Sequence, residues 1–354
     1  MAYNKQKLNK RQDEILAILA KKSPFSTSQM LKKISIVFGS VSRITLVRDL
    51  NELLGLNFIS KSGKGRSVRY SLSDHYRLIE PINVEKYFAL GEDQRIGKEK
   101  FNFEIFSLLG DFFTEAEKKQ LAELNKKYRN NLQKFSTEMA AKEFERLIIE
   151  LSWKSSQIEG NTYTLLETEV LIREHQEANG HKKEEAVMIL NHKKALDYIM
   201  KNQKTFRQIS VSKIEDIHNL LTSGLGISKN LRKRPVGIVG TKYKPLDNQF
   251  QIKEALEKTC ELVNREKNPF AKALLLSIMI AYIQPFEDGN KRTSRMISNA
   301  ALLARNICPL SYRSVDEVEY KKAVILFYEK NNLSYFKQLL IEQFEFAVKN
   351  YFSA

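Results

Sequence analysis

Apolar positions in the first part of the chain recur at helical spacing. Ile15, Leu16, Ile18 and Leu19 share one face of a helix over 9–21. Ser26 stands where a helix N-cap is wanted, ahead of Met30, Leu31 and Ile34. Ser42 stands likewise ahead of Leu46, Val47, Leu50, Leu53 and Leu54, and Gly55 is placed to close that helix. The period then changes. Phe58-Ile59, a turn over 61–65 and the alternating Val68, Tyr70 and Leu72 predict a two-stranded hairpin. Residues 74–110 carry weak periodicity. From about residue 112 helical pattern dominates and predicts helices over 114–134, 137–159, 165–177, 182–203, 211–222, 251–266, 268–284, 290–306, 314–331 and 333–351. One stretch, Val236-Gly237-Ile238-Val239-Gly240 with Tyr243 beyond it, alternates as a small hairpin would.

Three helices followed by a basic hairpin resemble a winged helix-turn-helix, expected over 1–75. A connector over 76–110 and a second, all-helical domain over 111–354 follow. In the winged helix-turn-helix the third helix enters the major groove. Its outward residues here would be Arg43, Thr45, Arg48 and Asn51, with Lys61, Lys64 and Arg66 on the wing. These residue types suit base edges and phosphates. Winged helices also serve as protein-interaction modules, so both uses stay open.

Charge sharpens this picture. The chain of 354 residues has a formal net charge of +16. Residues 1–75 hold 14 Lys/Arg against 5 Asp/Glu, so +9 sits in about a fifth of the length. That concentration is the footprint of a nucleic-acid binder, with a well-solvated basic surface as the competing reading. Two cysteines, Cys260 and Cys308, make neither a disulfide framework nor a zinc cluster. The opening MAYNKQKLNKRQDE lacks the apolar core of a signal peptide. The apolar run Ala273–Ile283 is about half a membrane span. A cytoplasmic location without membrane insertion is the expectation.

The most informative stretch is Gln284-Pro285-Phe286-Glu287-Asp288-Gly289-Asn290-Lys291-Arg292-Thr293-Ser294-Arg295. Pro285 ends the preceding apolar helix, because the residue before proline avoids helical angles. A short loop with Gly289 leads into a new helix near Asn290. Free amides at a helix start, beside glycine, form an anion site. Arg292 and Arg295 add positive charge, and Asp288 is placed to hold a divalent ion that bridges phosphates. Upstream, Ser155 and Glu159 are four residues apart and share a helix face, which Gly160 closes. A glutamate there opposes the helix dipole by ~0.3–1 kcal/mol and calls for a cation.

The 284–295 stretch resembles the Fic family, whose motif reads His-Pro-Phe-x-Asp/Glu-Gly-Asn-Gly-Arg-x-x-Arg. The resemblance covers about residues 110–340. It implies a mainly α fold: an all-helical core with a small β-hairpin flap, joined here to an N-terminal winged-helix domain of α+β type. It also implies ATP and Mg²⁺ as cofactors. Phe286 would pack the loop and Asp288 would hold Mg²⁺. Gly289 and Asn290 would form the anion hole, Arg292 would contact phosphates, and Arg295 would bind the terminal phosphate or an inhibitory glutamate. The sequence Ser155-Ser156-Gln157-Ile158-Glu159-Gly160 is similar to the family's inhibitory helix, here 137–160, with Glu159 expected to pair with Arg295. Residues 231–245, with Val236, Gly237, Ile238 and Val239 at their centre, resemble the flap that docks a target segment along its edge.

Two positions depart from the pattern. Gln284 stands where the family has the histidine that acts as general base, and loss of a positioned base costs ~10²–10⁴-fold in rate. Lys291 stands where adenylylating members have glycine and resembles the Doc-type branch, which transfers a terminal phosphate. The implied function is an autoinhibited protein adenylyltransferase that transfers AMP to a Ser, Thr or Tyr hydroxyl of a protein target docked on the flap. Two alternatives stay open: a Doc-like phosphotransferase, and a catalytically degenerate, nucleotide-sensing DNA-binding regulator. A homo-oligomer is compatible with each. The five histidines His75, His175, His181, His192 and His218 lack ligand spacing, and His192 and His218 read as structural.

Overall fold

The structure is a computed structural model that describes residues 8–21 and 23–352. Lys5, Lys7 and Lys22 of the basic segment lie outside the described residues. The chain divides into two compact units, Met1–Pro81 and Ile82–Ala354.

The first unit runs α1 (Lys10–Lys21), β1 (Phe25–Ser26), α2 (Thr27–Phe38), α3 (Arg43–Gly55), β2 (Ile59–Ser62), β3 (Arg69–Leu72) and α4 (Asp74–Ile79). Both cap serines act as caps. The Ser26 hydroxyl accepts from Gln29 N in a reciprocal capping box, and Ser42 accepts from Thr45 N. Their apolar faces meet in one core that includes Ile15, Leu19, Met30, Ile34, Leu46, Leu50 and Leu53. Buried Asp49 ties the first and third helices together, accepting from Arg11 Nη2 at 3.0 Å and Asn9 Nδ2 at 3.2 Å.

Two local features differ from the sequence pattern. The sheet has three strands in the order β1-β3-β2, all antiparallel, not two. The extra strand, Phe25–Ser26, is too short to leave an alternation in the sequence. Gly55 also does not close α3. It belongs to the helix, and the left-handed residue is Asn57 (φ 56°), a residue type that tolerates that region.

The second unit contains α5 (Val84–Phe88), α6 (Ile105–Leu108), α7 (Glu115–Lys134), α8 (Thr137–Gln157), α9 (Leu165–Glu174), α10 (Lys183–Lys201), α11 (Val211–Thr222), α12 (Gln249–Arg265), α13 (Pro269–Ile283), α14 (Asn290–Leu303), α15 (Glu317–Lys330) and α16 (Ser334–Asn350). At its centre α13 packs on α14, and every residue from Phe270 to Ile283 is buried. An amphipathic stripe is absent from α13 because it is covered on all sides. α14 packs in turn on α8, α10 and α11. Among the described residues no helix is long and apolar enough to cross a membrane.

The hairpin expected over 231–245 is absent. Among the described residues the segment forms no strand ladder; its one bridge joins Lys244 to Lys100 in parallel. The two arms satisfy their polar groups elsewhere. Arg232 N donates to Pro285 O at 3.0 Å, Lys244 N donates to Glu99 O at 2.8 Å, and the Tyr243 hydroxyl donates to Tyr282 O at 2.8 Å. Between these anchors Val236 and Ile238 turn half inward, and Val239 is 97% exposed. The alternation reports which side chains face inward: 235–238 carry no strand and Val239-Gly240 is a turn.

Candidate functional site

The site forms at the junction of α13 and α14. Gln284 follows α13 in the left-handed region (φ 50°), away from the helical angles that Pro285 disfavours. Gly289 (φ 79°) precedes α14 without a side-chain cap. The positive φ of Gly289 strains any larger residue there, and a β-carbon would press to 3.1 Å of the Thr222 methyl.

Asn290 holds the turn in shape. Its Oδ1 accepts from Phe286 N at 2.8 Å, while Nδ2 donates to Phe286 O at 2.8 Å and to Gln284 Oε1 at 2.9 Å. Phe286 stacks on His218 with ring centroids 3.7 Å apart, and His218 Nε2 donates to Asp288 O at 3.1 Å. Burial pushes His218 down to about 4, so its imidazole is neutral at pH 7.

Gln284 is engaged at both ends of its amide. Oε1 accepts from Asn290, and Nε2 donates to Ala281 O at 2.7 Å and to the Tyr328 hydroxyl at 3.3 Å. Its carbonyl accepts from buried Arg232 Nε at 2.6 Å. Arg232 also donates to Arg234 O at 2.9 Å and to Leu246 O, so one guanidinium gathers both ends of the 232–246 segment against the Gln284 turn.

The Glu159 turn meets this junction from the other side. α8 ends at Gln157, and Glu159 and Gly160 (φ 94°) continue through consecutive turns. Glu159 Oε1 accepts from Arg295 Nη2 at 2.9 Å, and Oε2 pairs with Lys291 Nζ at 3.0 Å. Arg295 is fully buried and is fixed further by Ser155, donating through Nε to Oγ and through Nη2 to the carbonyl oxygen, both at 2.9 Å. The Ser155 hydroxyl in turn donates to His192 Nε2 at 2.9 Å, because His192 Nδ1 donates to Met188 O at 2.8 Å. Burial holds His192 down to about 3. For Glu159, burial alone would raise the carboxyl, but Arg295 and Lys291 outweigh it and hold it down to about 2. The cation that a glutamate at this helix end demands is thus present twice.

The residues singled out in sequence fall into two places. Glu159, Gly160, Val236, Gly237, Ile238, Val239, Gln284, Asp288, Gly289, Asn290 and Lys291 line one cavity of about 430 Å³. Arg292, Arg295 and Ser155 sit directly behind it. Arg292 Nη2 donates to Asp288 Oδ2 at 2.9 Å. Arg43, Thr45, Arg48, Asn51, Lys64 and Arg66 belong to the other unit. All are exposed except Thr45, which is half-buried with its hydroxyl bonded to Ser42 at 2.9 Å. Beside them Ile44 is 83% exposed.

Sequence reasoning missed Lys321, Val324, Ile325 and Tyr328 of α15, which complete the cavity wall. His192 and His218, which read as structural in the sequence, are both buried, and their contacts depend on helices brought together only by folding. Among the described residues no group of three or more His, Cys, Asp or Glu is gathered as a metal cage. The Asp288 carboxylate, with its side chain 67% exposed, faces the cavity beside the free start of α14. One carboxylate of this kind fits Mg²⁺, which is held through one or two carboxylates and substrate phosphates.

Residues 208–302 match the model described as the Fic/DOC family. Over 178 residues the chain is 28% identical to Protein adenylyltransferase Fic of Nematostella vectensis, covering 48% of this chain and 40% of that protein. Over 163 residues it is 26% identical to Protein adenylyltransferase Fic of Drosophila willistoni, covering 45% and 32%. The matched stretch thus spans less than half the length of these relatives. Among solved structures the fold is similar to Fic-1 from C. elegans (TM-score 0.57, 14% identity, 98% of this chain and 99% of that one). It is also similar to a Fic domain containing signaling protein from Bacteroides thetaiotaomicron (TM-score 0.54, 20% identity, 66% and 96%).

Proposed function

We propose that this chain, which carries a Fic/Doc family domain, is an autoinhibited ATP-binding protein of the adenylyltransferase type, whose transfer step has lost its general base. The observation that carries this reading is the seating of the Glu159 carboxylate between Arg295 and Lys291, at 2.9 and 3.0 Å, on the rim of a cavity opening on the uncapped start of α14. Two cations and free helix amides are an anion site. Glu159 fills it with the chain's own anion, and a polyphosphate competes for the same partners.

In AMP transfer a target hydroxyl oxygen attacks the α-phosphorus, the bond to the leaving pyrophosphate breaks, and the hydroxyl proton needs an acceptor. The start of α14, with Gly289, Asn290 and Arg292, would hold the phosphates. Asp288 would hold Mg²⁺, which neutralises phosphate oxygens when bound. The cavity-lining segment 236–239 would align the target segment. Gln284 offers no basic lone pair, and its amide is already committed on both sides. The chain therefore binds and orients, while proton removal is left to solvent.

The test is a labelling reaction with α- and γ-labelled ATP, Mg²⁺ and cell lysate, on Glu159→Gly and on Glu159→Gly with Gln284→His. Protein label from the α-phosphate is expected to rise at least ~10²-fold on restoring the histidine. Label only from the γ-phosphate would replace this reading with phosphotransfer. The observation that bears on that alternative, Lys291, favours a different role, because its ammonium is taken by Glu159.

For the first unit the proposal is a winged helix-turn-helix that binds DNA through Arg43, Arg48, Asn51, Lys64 and Arg66. It is supported by their exposure and by the basic charge around them.

A further inference from the structure

Lys291 is the second residue of α14, and a cation in the first turn opposes the helix dipole. An isolated lysine there is unfavourable; one facing an anion is not. Its ammonium lies 3.0 Å from Glu159 Oε2, and its side chain remains 29% exposed on the cavity wall. Arg295 differs. It is fully buried, and it makes two further bonds, to Ser155, that do not involve Glu159. Of the two cations that hold Glu159, Lys291 is thus the one free to change partner.

We propose that Lys291 is an exchangeable counter-ion: it latches Glu159 in the resting protein and passes to a phosphate oxygen of the nucleotide when Glu159 withdraws. This rests on the nucleotide-binding reading above and adds to it a specific regulation. The same side chain both strengthens the brake and strengthens the ligand, so its contribution to affinity depends on whether Glu159 is there. Removing it from the resting protein takes away one contact from each competitor, and the two losses offset. Removing it after Glu159 is gone takes away a ligand contact only. A charge-assisted hydrogen bond of this kind is worth about tenfold or more in affinity.

A double-mutant cycle on the full chain reads both halves, using wild type, Lys291→Met, Glu159→Gly and the pair. Methionine keeps the side-chain stem and removes the charge. Without nucleotide, Lys291→Met is expected to lower the thermal midpoint in the wild-type background. In the Glu159→Gly background it is expected to leave the midpoint unchanged or raise it, because a lysine beside Arg292 and Arg295 has then lost the carboxylate it pairs with. The same shift in both backgrounds would overturn the latch. With labelled ATP and Mg²⁺ in equilibrium dialysis, Lys291→Met is expected to weaken binding about tenfold or more in Glu159→Gly and less than twofold in wild type. Equal losses in both would overturn the exchange. If Glu159→Gly itself binds no ATP, the nucleotide reading fails and the phosphate half falls with it, while the midpoints still decide the latch. Lys291→Arg, which keeps the charge, is expected to restore the wild-type pattern in both readouts.

Discussion

At the scale of single residues the site is built on charge placed where water is largely excluded. Glu159 is only 16% exposed, and breaking a paired, buried charge costs more than the pair itself contributes. Its carboxyl lies at about 2 in the fold against an ordinary 4.5. A carboxyl depressed in this way adds stability that is fully present above 4.5 and is lost as pH falls from there toward 2. Glu159→Gln is therefore expected to flatten the acid limb of the stability curve in that window, followed by chemical denaturation across pH. His192 works from the other end. Its ordinary 6.5 falls to about 3 on burial, so its cost appears as pH drops below 6.5, where the unfolded chain takes up the proton first. His192→Gln is expected to remove part of the stability loss between pH 6.5 and 3. A curve unchanged by that substitution would show that His192 is not buried as a neutral ring. The sequence exposed the acidic and basic members of this cluster through their spacing. The histidines, isolated in sequence, gave no such signal.

At the scale of elements, legibility followed period and length. The long helices could be read because apolar residues recur every three to four positions over three or more turns, and because serines and threonines stand at their starts. Thr114, for instance, forms a reciprocal capping box with Glu117, and Thr114→Ala is expected to cost about 1 kcal/mol in unfolding free energy. β1 could not be read, since two residues carry no alternation. The 231–245 segment reads as a hairpin in sequence because alternation reports which face is inward, not whether a neighbouring strand exists. Here Arg232, Tyr243 and Lys244 send the two arms to different partners. The α13–α14 turn depends most on Asn290, whose amide makes three bonds in a buried setting. Asn290→Ala is expected to destabilise by about 2 kcal/mol, because Phe286 N and Gln284 Oε1 then lose their partners in a largely buried turn. Equal stability in the variant would mean that the turn is held by its backbone alone.

At the scale of the whole molecule, two units carry two kinds of surface. The first concentrates basic charge on exposed side chains, and the second gathers acids and cations around a cavity. Net charge could be read directly from composition, but its use depends on the surface around it. Ile44, exposed among the basic residues, fits a thymine methyl group and also fits an apolar protein partner. Arg43→Ala with Arg48→Ala in the full chain is expected to abolish salt-sensitive retention on DNA, and retention unchanged by the pair would exclude the DNA reading. In the cavity, the proposed function has Glu159 holding the place of a nucleotide phosphate. Calorimetric titration of ATP with Mg²⁺ into wild type and Glu159→Gly tests it most directly. The expected result is binding to both, at least tenfold tighter without the glutamate. Heat absent from Glu159→Gly, or the same affinity in both proteins, would contradict it.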